Sequence, residues 1–175
     1  MKLSGGPTKD EIMAISFQKL GLQVGDVFVD IGCGTGTVTV HAAPLVEKVY
    51  AVDLREEAVH CTREEVARSG LANIEISCEN GMDLLRRIPR VDVAFIGGSR
   101  DLPEILALLA KKRVRSIVVH AVLLSTLSSA VAEMRRLSIF REVVHVMVSR
   151  SQPLAGDLML KPLDPVYIVV GGTEC

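Results

Sequence analysis

The sequence predicts an α/β protein with a mostly parallel sheet of seven strands and helices on both faces. Short runs rich in β-branched residues alternate with amphipathic stretches of helical length, which is typical of repeated strand–helix–strand units. In the last third, the strand-like runs 143–148 and 166–170 have no helical stretch between them. These two runs predict an antiparallel hairpin that closes the sheet.

The individual elements follow from local signals. Thr8 and Glu11 have capping-box spacing and predict the start of the first helix, which ends at Gly21. Asp101 and Glu104 predict a second capping box and a helix to Lys112. The other expected helices are 37–45, 55–69, 82–87 and 126–137, and the strands before the hairpin are 27–31, 48–52, 74–78, 91–96 and 116–121.

The stretch from Ser149 to Asp164 carries Pro153, Gly156 and Pro162 and is expected to be a long connection without regular structure. Loops of that length are uncommon unless they bind a ligand or move. The stretch is therefore either a substrate lid or an ordinary mobile connection.

Length and composition favour one domain spanning residues 1–175, because the chain is 49% apolar and can bury a full core. The formal net charge of −1 argues against a nucleic-acid partner. The four cysteines lack paired spacing and no secretory leader is apparent, which predicts a cytoplasmic protein. No apolar run reaches the roughly 18 residues needed to span a membrane, and no residue cluster has the spacing of metal ligands.

The segment Val29–Gly36 predicts a strand that runs directly into a glycine turn and a helix. Glycines let the backbone lie against a ligand, and the N–H groups of the helix start face the same space. The last glycine of a dinucleotide-binding fingerprint is replaced by Thr37, which weakens the case for NAD. The candidate binding residues of this turn are Gly32, Cys33, Gly34, Thr35 and Gly36.

Two carboxylates accompany the turn. Asp53 ends the second strand 21 positions after Gly32, where a ribose ligand is expected, although it could also serve only as a helix cap. Asp30 is expected to hold the loop and to attract the cationic amino group of methionine, or else only to bind loop amides. Together these residues favour S-adenosylmethionine as the cofactor.

Two further turns lie at the expected carboxyl edge of the sheet. Asn80 and Gly81 are expected to contact adenine, with a simple Asn-Gly turn as the alternative. Gly97 and Gly98 are expected to leave space for substrate beside the reactive methyl group, with a flexible turn as the alternative. Ser99 belongs to the same candidate substrate-binding turn.

The chain also resembles a known family almost from end to end. The segments that carry the resemblance are Gly6-Pro7-Thr8, Val29–Gly36, Val49–Asp53, Ile96–Ser99 and Ala121–Leu124. They resemble the CbiT family of class I Rossmann-like methyltransferases, which methylate carbon 15 of cobalt-precorrin-6B with decarboxylation. The resemblance implies S-adenosyl-L-methionine as cofactor, S-adenosyl-L-homocysteine as product, a polycarboxylate tetrapyrrole substrate from cobalamin biosynthesis, and a homo-oligomer, with a tetramer as the expected assembly.

The resemblance also implies cofactor contacts from Thr8, from Gly81 and from residues of the glycine turn and Asp53. Relatives commonly have an acidic residue and alanine where this chain has Asn80 and Gly81, which implies an adenine contact through backbone more than charge. His120 occupies a position where many relatives have a small hydroxyl residue. It is a candidate for pairing with a substrate carboxylate or moving a proton, or a structural histidine.

The substrate's carboxylates call for cations, and the candidates are Arg100, Arg150 and Lys161, each of which could instead be a solvated surface residue. Three other functions stay open. One is methylation of RNA or protein, which the 3% aromatic content disfavours for RNA. The second is an NAD-dependent oxidoreductase, and the third is a non-catalytic nucleotide-binding module.

Overall fold

The computed structural model of the protein describes residues 6–98 and 100–173 of the 175. In that part of the chain the strands are β1 (Val27–Ile31), β2 (Lys48–Asp53), β3 (Ile74–Cys78), β4 (Val93–Ile96), β5 (Ser116–Ala121), β6 (Phe140–Val146), β7 (Ser149–Leu154), β8 (Asp157–Pro162) and β9 (Val166–Gly171). The α-helices are α1 (Asp10–Leu20), α2 (Thr37–Ala42), α3 (Glu56–Ser69), α4 (Gly81–Arg87), α5 (Leu102–Lys111) and α6 (Leu124–Arg136). A short 3₁₀-helix, Ala43–Leu45, extends α2 past Pro44.

Seven strands form one sheet in the order β3-β2-β1-β4-β5-β9-β6. The pairs from β3 to β5 are parallel, whereas β9 is antiparallel to both β5 and β6. The predicted mixed sheet with an antiparallel C-terminal pair is therefore confirmed. The strand order reverses between β1 and β4, and ligands of open α/β sheets collect at such a point, beyond the carboxyl ends of the strands.

Buried apolar side chains form a cluster on each face of the sheet. One face packs against α4, α5 and α6, with Leu84, Leu106 and Met134 among its fully buried members. The other packs against α1 and α2 around Phe28 and Leu20. Burial on both faces explains why the central strands are almost continuously hydrophobic and could be read directly from the sequence.

The prediction that Ser149 to Asp164 form a connection without regular structure is wrong. Most of it forms β7 and β8, which pair with each other in an antiparallel hairpin outside the main sheet. All twelve residues of the two strands are exposed, so no buried face reveals the strands in the sequence. The prolines Pro153 and Pro162 are tolerated because the hairpin consists of two edge strands.

Both predicted capping boxes are also wrong. Helix α1 begins at Asp10, so Lys9 and not Thr8 is at the cap position and no side chain caps the helix, while the Glu11 carboxylate is bound to Arg150 of the hairpin. Helix α5 begins after Asp101, whose carboxylate accepts a hydrogen bond from Asn80 instead of capping the helix. In both cases an acidic side chain of the motif is bound by a partner elsewhere in the fold.

The described residues contain no helix that combines the length and apolar character needed to cross a bilayer. Within the same ranges, no group of three or more His, Cys, Asp or Glu side chains is arranged to hold a metal ion.

Candidate active site

A cavity of about 370 Å³ opens at the carboxyl edge of the sheet, where the ends of β1 to β4 meet. Its volume lies in the range typical of small-molecule sites. The residues around it are Ile31, Gly32, Val52, Asp53, Leu54, Arg55, Glu79, Asn80, Gly81, Gly97, Gly98, Arg100, Asp101 and Ile105. The cavity thus brings together the predicted ribose ligand, the predicted adenine segment and part of the predicted substrate segment.

The glycine turn after β1 is held against the end of β2. The amides of Gly32 and Cys33 both donate to the carbonyl of Val52, at 2.7 and 3.1 Å. Gly32 has a φ of 81°, and a Cβ on it would lie 2.9 Å from the amide nitrogen of Gly98. Glycine is therefore required here by backbone conformation and by close packing of the β1 and β4 turns.

The other predicted members of the turn do not line the cavity. Cys33 is buried, and burial raises the pKa of its thiol to about 12, so the thiol is neutral and unreactive. The Thr35 hydroxyl is hydrogen-bonded to that of Thr37 at 3.0 Å. Gly36 has a φ of 80° and directly precedes α2.

Asp53 lies at the tip of β2 with its carboxylate facing the turn. Its Oδ2 accepts a hydrogen bond from the amide of Gly34 at 3.1 Å, which joins the two parts of the predicted nucleoside site. Burial alone would raise the pKa of Asp53, but hydrogen bonds from Arg55 and Gly34 outweigh it and hold the pKa below its usual value. Asp53 is therefore an anionic acceptor at neutral pH, as a ribose ligand must be.

Arg55 is a functional candidate that the sequence did not reveal. Its Nε and Nη2 donate to Oδ1 and Oδ2 of Asp53 at 3.1 and 3.0 Å, and its backbone amide donates to Oδ1 at 3.0 Å. The side chain therefore lies over the carboxylate that is expected to bind ribose. Its place two residues after Asp53 is the only signal in the sequence.

Asp30 lies inside the protein behind the turn and does not line the cavity. One carboxylate oxygen accepts a hydrogen bond from the hydroxyl of Thr39, whereas the buried Oδ1 has no partner among the described residues. Burial raises the pKa of Asp30 to about 7, the Thr39 hydrogen bond opposes the rise, and the negative charge of Asp53 adds to it. This environment suits a residue that supports the loop from within.

The predicted adenine segment is part of the cavity wall. Asn80 caps α4, since its Oδ1 accepts the amide of Met82, and its Nδ2 donates to Asp101, both at 2.8 Å. Gly81 lies against β1, where a Cβ would come within 2.7 Å of the Ile31 side chain. Asp101 was predicted only as a helix cap, and its role in the cavity wall could not be found from the sequence.

The predicted substrate-binding residues are divided between two places. Gly97, Gly98 and Arg100 line the cavity, while Ser99 falls outside the described residues. Arg150 and Lys161 lie opposite each other on the β7–β8 hairpin. Arg150 is already paired with Glu11, at 2.6 and 2.8 Å, and lies 3.9 Å from Asp10. Thr8 is partly buried just before α1 and does not line the cavity.

His120 is at the carboxyl end of β5, outside the cavity wall. Its Nε2 is 2.7 Å from the hydroxyl of Ser16 in α1, and its ring packs edge-on against Phe95 at 4.5 Å. The Ser16 hydroxyl donates to the carbonyl of Ile12, so it accepts from the imidazole. Burial lowers the pKa of His120 to about 4, so the ring is neutral. These contacts favour the structural interpretation over the catalytic one.

The chain is similar to known proteins in both sequence and structure. A family model described as "Precorrin methyltransferase domain" matches residues 2–171. A protein of Methanosarcina mazei named probable cobalt-precorrin-6B C(15)-methyltransferase (decarboxylating) is 47% identical over 98% of this chain and 96% of its own. A protein of the same name from Archaeoglobus fulgidus is 38% identical over 97% of this chain and 99% of its own.

Solved structures agree with the sequence relatives. The crystal structure of a precorrin 8w decarboxylase from Methanobacterium thermoautotrophicum has a TM-score of 0.91 at 32% identity, covering 96% of this chain and 92% of that one. A precorrin-6y C5,15-methyltransferase from Geobacter metallireducens also has a TM-score of 0.91, at 27% identity, covering 99% and 94%. The family expected from the sequence is thereby confirmed, and the chain belongs to the precorrin methyltransferase family.

Proposed function

We propose that the protein binds S-adenosyl-L-methionine in the cavity at the carboxyl edge of the sheet. The observation that carries this proposal is the contact between the Gly34 amide and the Asp53 carboxylate, which joins the glycine turn to an anionic acceptor at 3.1 Å. Asp53 would hold the two ribose hydroxyls, and the apolar side chains of Leu54 and Ile105 would flank the adenine ring. The donor and acceptor groups present therefore fit the nucleoside part of this cofactor.

For the reaction, we infer methylation of carbon 15 of cobalt-precorrin-6B, with loss of carbon dioxide from the acetate at carbon 12, to give cobalt-precorrin-7. The names of the relatives that cover nearly the whole chain support this substrate. The product of the cofactor would be S-adenosyl-L-homocysteine. This step belongs to cobalamin biosynthesis.

The residues of the site are suited to positioning more than to covalent chemistry. When bound, S-adenosylmethionine supplies a methyl group that its sulfonium has already activated, so methyl transfer needs no protein nucleophile. The packed turns at Gly32 and Gly98 and the anionic Asp53 would fix the cofactor's orientation. The conjugated macrocycle can itself accept the electrons released by decarboxylation.

The substrate's carboxylates would be bound by cations, and the three candidates differ in their position and in their partners. Arg100 lines the cavity and has no ion pair with another described residue, which makes it the best placed of the three candidates. Lys161 is likewise without an ion pair among the described residues, whereas Arg150 is held by Glu11. We therefore assign Arg100 to substrate binding at the cavity and Arg150 to docking the hairpin on α1, and Lys161 stays a candidate cation on the hairpin, outside the cavity wall.

We also infer a homo-oligomer, with the tetramer as the expected form. The hairpin supports this inference, because the face opposite Arg150 and Lys161 carries Leu158 and Leu160, which are 67% and 70% exposed. Two such leucines on a projecting, uncharged face are costly to leave in water. A second copy of the chain is the partner that would cover them.

The substrate assignment is tested by anaerobic incubation with cobalt-precorrin-6B and methyl-labelled S-adenosylmethionine, followed by mass spectrometry. We expect a product that has gained one labelled methyl group and lost carbon dioxide. If the macrocycle is unchanged although the protein still binds S-adenosylhomocysteine, the substrate assignment is refuted and the cofactor assignment stands. Methylation without loss of carbon dioxide would refute the decarboxylating step alone.

A further inference from the structure

Asn80 and Asp101 form a polar pair in the wall of the cavity. Both polar groups of the Asn80 side chain have partners, because Oδ1 accepts from the Met82 amide and Nδ2 donates to Oδ2 of Asp101. The reverse orientation of the amide would place its NH₂ against the N–H of Met82. Asn80 therefore holds Asp101 in place and is itself poorly placed to read a base.

The conformation of Asp101 directs its carboxylate away from the helix that follows. Its φ of 53° and ψ of 28° are left-handed, an unusual conformation for a residue other than glycine, and its side chain does not cap α5. Oδ2 is bound to Asn80, while Oδ1 has no partner among the described residues. Asp101 thus places a carboxylate oxygen beside the cavity, and the hydrogen bond from Asn80 fixes the position of this carboxylate.

We propose that Asp101 is the acceptor for the exocyclic amino group of adenine and determines the preference of the site for that base. The proposal rests on the proposed use of S-adenosylmethionine. A carboxylate only accepts hydrogen bonds, so it matches an amino group and repels a carbonyl at the same position of the ring. The Asp101 carboxylate lies at the start of α5. Asn80, which follows β3, holds this carboxylate in place and is therefore its positioning residue.

Glu79 is the rival carboxylate, since it also lines the cavity. Its Oε1 accepts hydrogen bonds from Ser77 at 2.6 Å and from Arg87 at 2.9 Å, and Arg87 also binds Glu75. Its charge is therefore largely offset by an arginine outside the cavity. Asp101 is bound instead to a neutral amide, and it has no ion pair with another described residue.

The test compares calorimetric affinities for S-adenosylhomocysteine and S-inosylhomocysteine, which carries oxygen in place of the amino group. We expect the wild-type protein to prefer the adenosyl compound by at least about tenfold, the range for one charge-assisted hydrogen bond. Asp101→Asn should bring the two affinities to within about threefold, because an amide can rotate to donate to oxygen. Asparagine tolerates the left-handed conformation, so this variant should keep the fold.

Two matched variants complete the design. Asp83→Asn removes a carboxylate on α4 that is bound to Arg86 outside the cavity, and should leave the preference unchanged. Glu79→Gln should also leave it unchanged, and collapse of the preference in this variant would assign the role to Glu79 instead. An unchanged preference in Asp101→Asn would overturn the proposed role of Asp101. If the protein still bound S-adenosylhomocysteine tightly, the proposed cofactor would stand. Failure of the wild-type protein to bind that compound would overturn both.

Discussion

The guanidinium group of Arg55 occupies the carboxylate of Asp53 through two hydrogen bonds of 3.1 and 3.0 Å. With the amides of Gly34 and Arg55, each carboxylate oxygen accepts two hydrogen bonds. A carboxylate has about four such acceptor positions, so all of them are filled. Ribose hydroxyls can bind Asp53 only after the Arg55 side chain moves away.

Arg55→Ala should therefore bind S-adenosylhomocysteine more tightly than the wild-type protein. The gain is expected to be a few-fold, about 1 kcal/mol, because a partly exposed ion pair no longer has to be broken. Isothermal titration calorimetry measures it, and Arg86→Ala, which breaks an exposed pair on α4, is the control. Weaker binding by Arg55→Ala would mean that Arg55 orients Asp53 in the bound state.

Asp53→Ala should weaken binding of S-adenosylhomocysteine by about 1 to 3 kcal/mol, because charge-assisted hydrogen bonds to the ribose are lost. Asp53→Asn should lie between this variant and the wild type, since one acceptor oxygen remains. The same titration gives both values, and circular dichroism checks that the variants are folded. An unchanged dissociation constant would remove Asp53 from the ribose site.

Asp30 should make stability depend on pH. Its pKa is about 7 in the folded protein and near 4 when unfolded, so between these values the folded chain holds a proton that the unfolded chain releases. The free energy of unfolding therefore falls as pH rises from 4 to 7. Relative to the wild type, Asp30→Asn should gain up to about 4 kcal/mol across this window.

Urea unfolding of both proteins at pH 5, 6, 7 and 8 measures this difference. Asp83→Asn, which removes an exposed carboxylate, should show no such trend. A constant difference between Asp30→Asn and the wild type at all four values would mean that Asp30 is ionised throughout.

His120 should matter for stability more than for cofactor binding. Its pKa is about 4 when folded and 6.5 when unfolded, so the unfolded chain binds a proton as pH falls through this window and stability is lost. In His120→Gln this loss should be reduced by about 3 kcal/mol between pH 7 and 4, measured by urea unfolding. The affinity for S-adenosylhomocysteine should stay within twofold of the wild type. A selective fall in turnover of cobalt-precorrin-6B, with stability unchanged, would restore the catalytic interpretation.

Leu158→Glu combined with Leu160→Glu should dissociate the assembly, because two carboxylates would be placed on the apolar face of the hairpin. Light scattering coupled to size-exclusion chromatography should give the mass of a smaller species than the wild type. Gln152→Glu with Leu154→Glu adds the same charge to the opposite face of the hairpin, and this control tests whether added charge alone dissociates the assembly. A wild-type monomer, or an assembly that survives the leucine substitutions, would contradict the assigned interface.

The sequence predicts this fold well where burial controls local structure. Strands β1 and β5 have the predicted bounds, because central strands with buried neighbours form continuous apolar runs between turn signals. The hairpin β7–β8 was missed because all of its residues are exposed and no hydrophobic pattern marks them. Thr8 does not cap α1 because the helix begins at Asp10 after Lys9, and Asp101 does not cap α5 because its carboxylate is bound to Asn80.

The candidate site likewise has parts that the sequence predicts and parts that it does not. The glycine turn and Asp53 could be located because their spacing along the chain reflects two adjacent strands. Arg55 over Asp53 and Asn80 beside Asp101 depend on side-chain orientation in three dimensions, which no spacing rule encodes. These are also the contacts expected to distinguish this site from other nucleoside sites on the same fold.

The central claim is that the turn after β1 and the carboxylate at the end of β2 hold the adenosyl cofactor. A crystal structure of the protein with S-adenosylhomocysteine tests it most directly. We expect the ribose hydroxyls within hydrogen-bond distance of Asp53, with Arg55 displaced and the adenine amino group at Asp101. A ligand bound elsewhere, or an Asp53 still covered by Arg55 with the ligand present, would contradict the account.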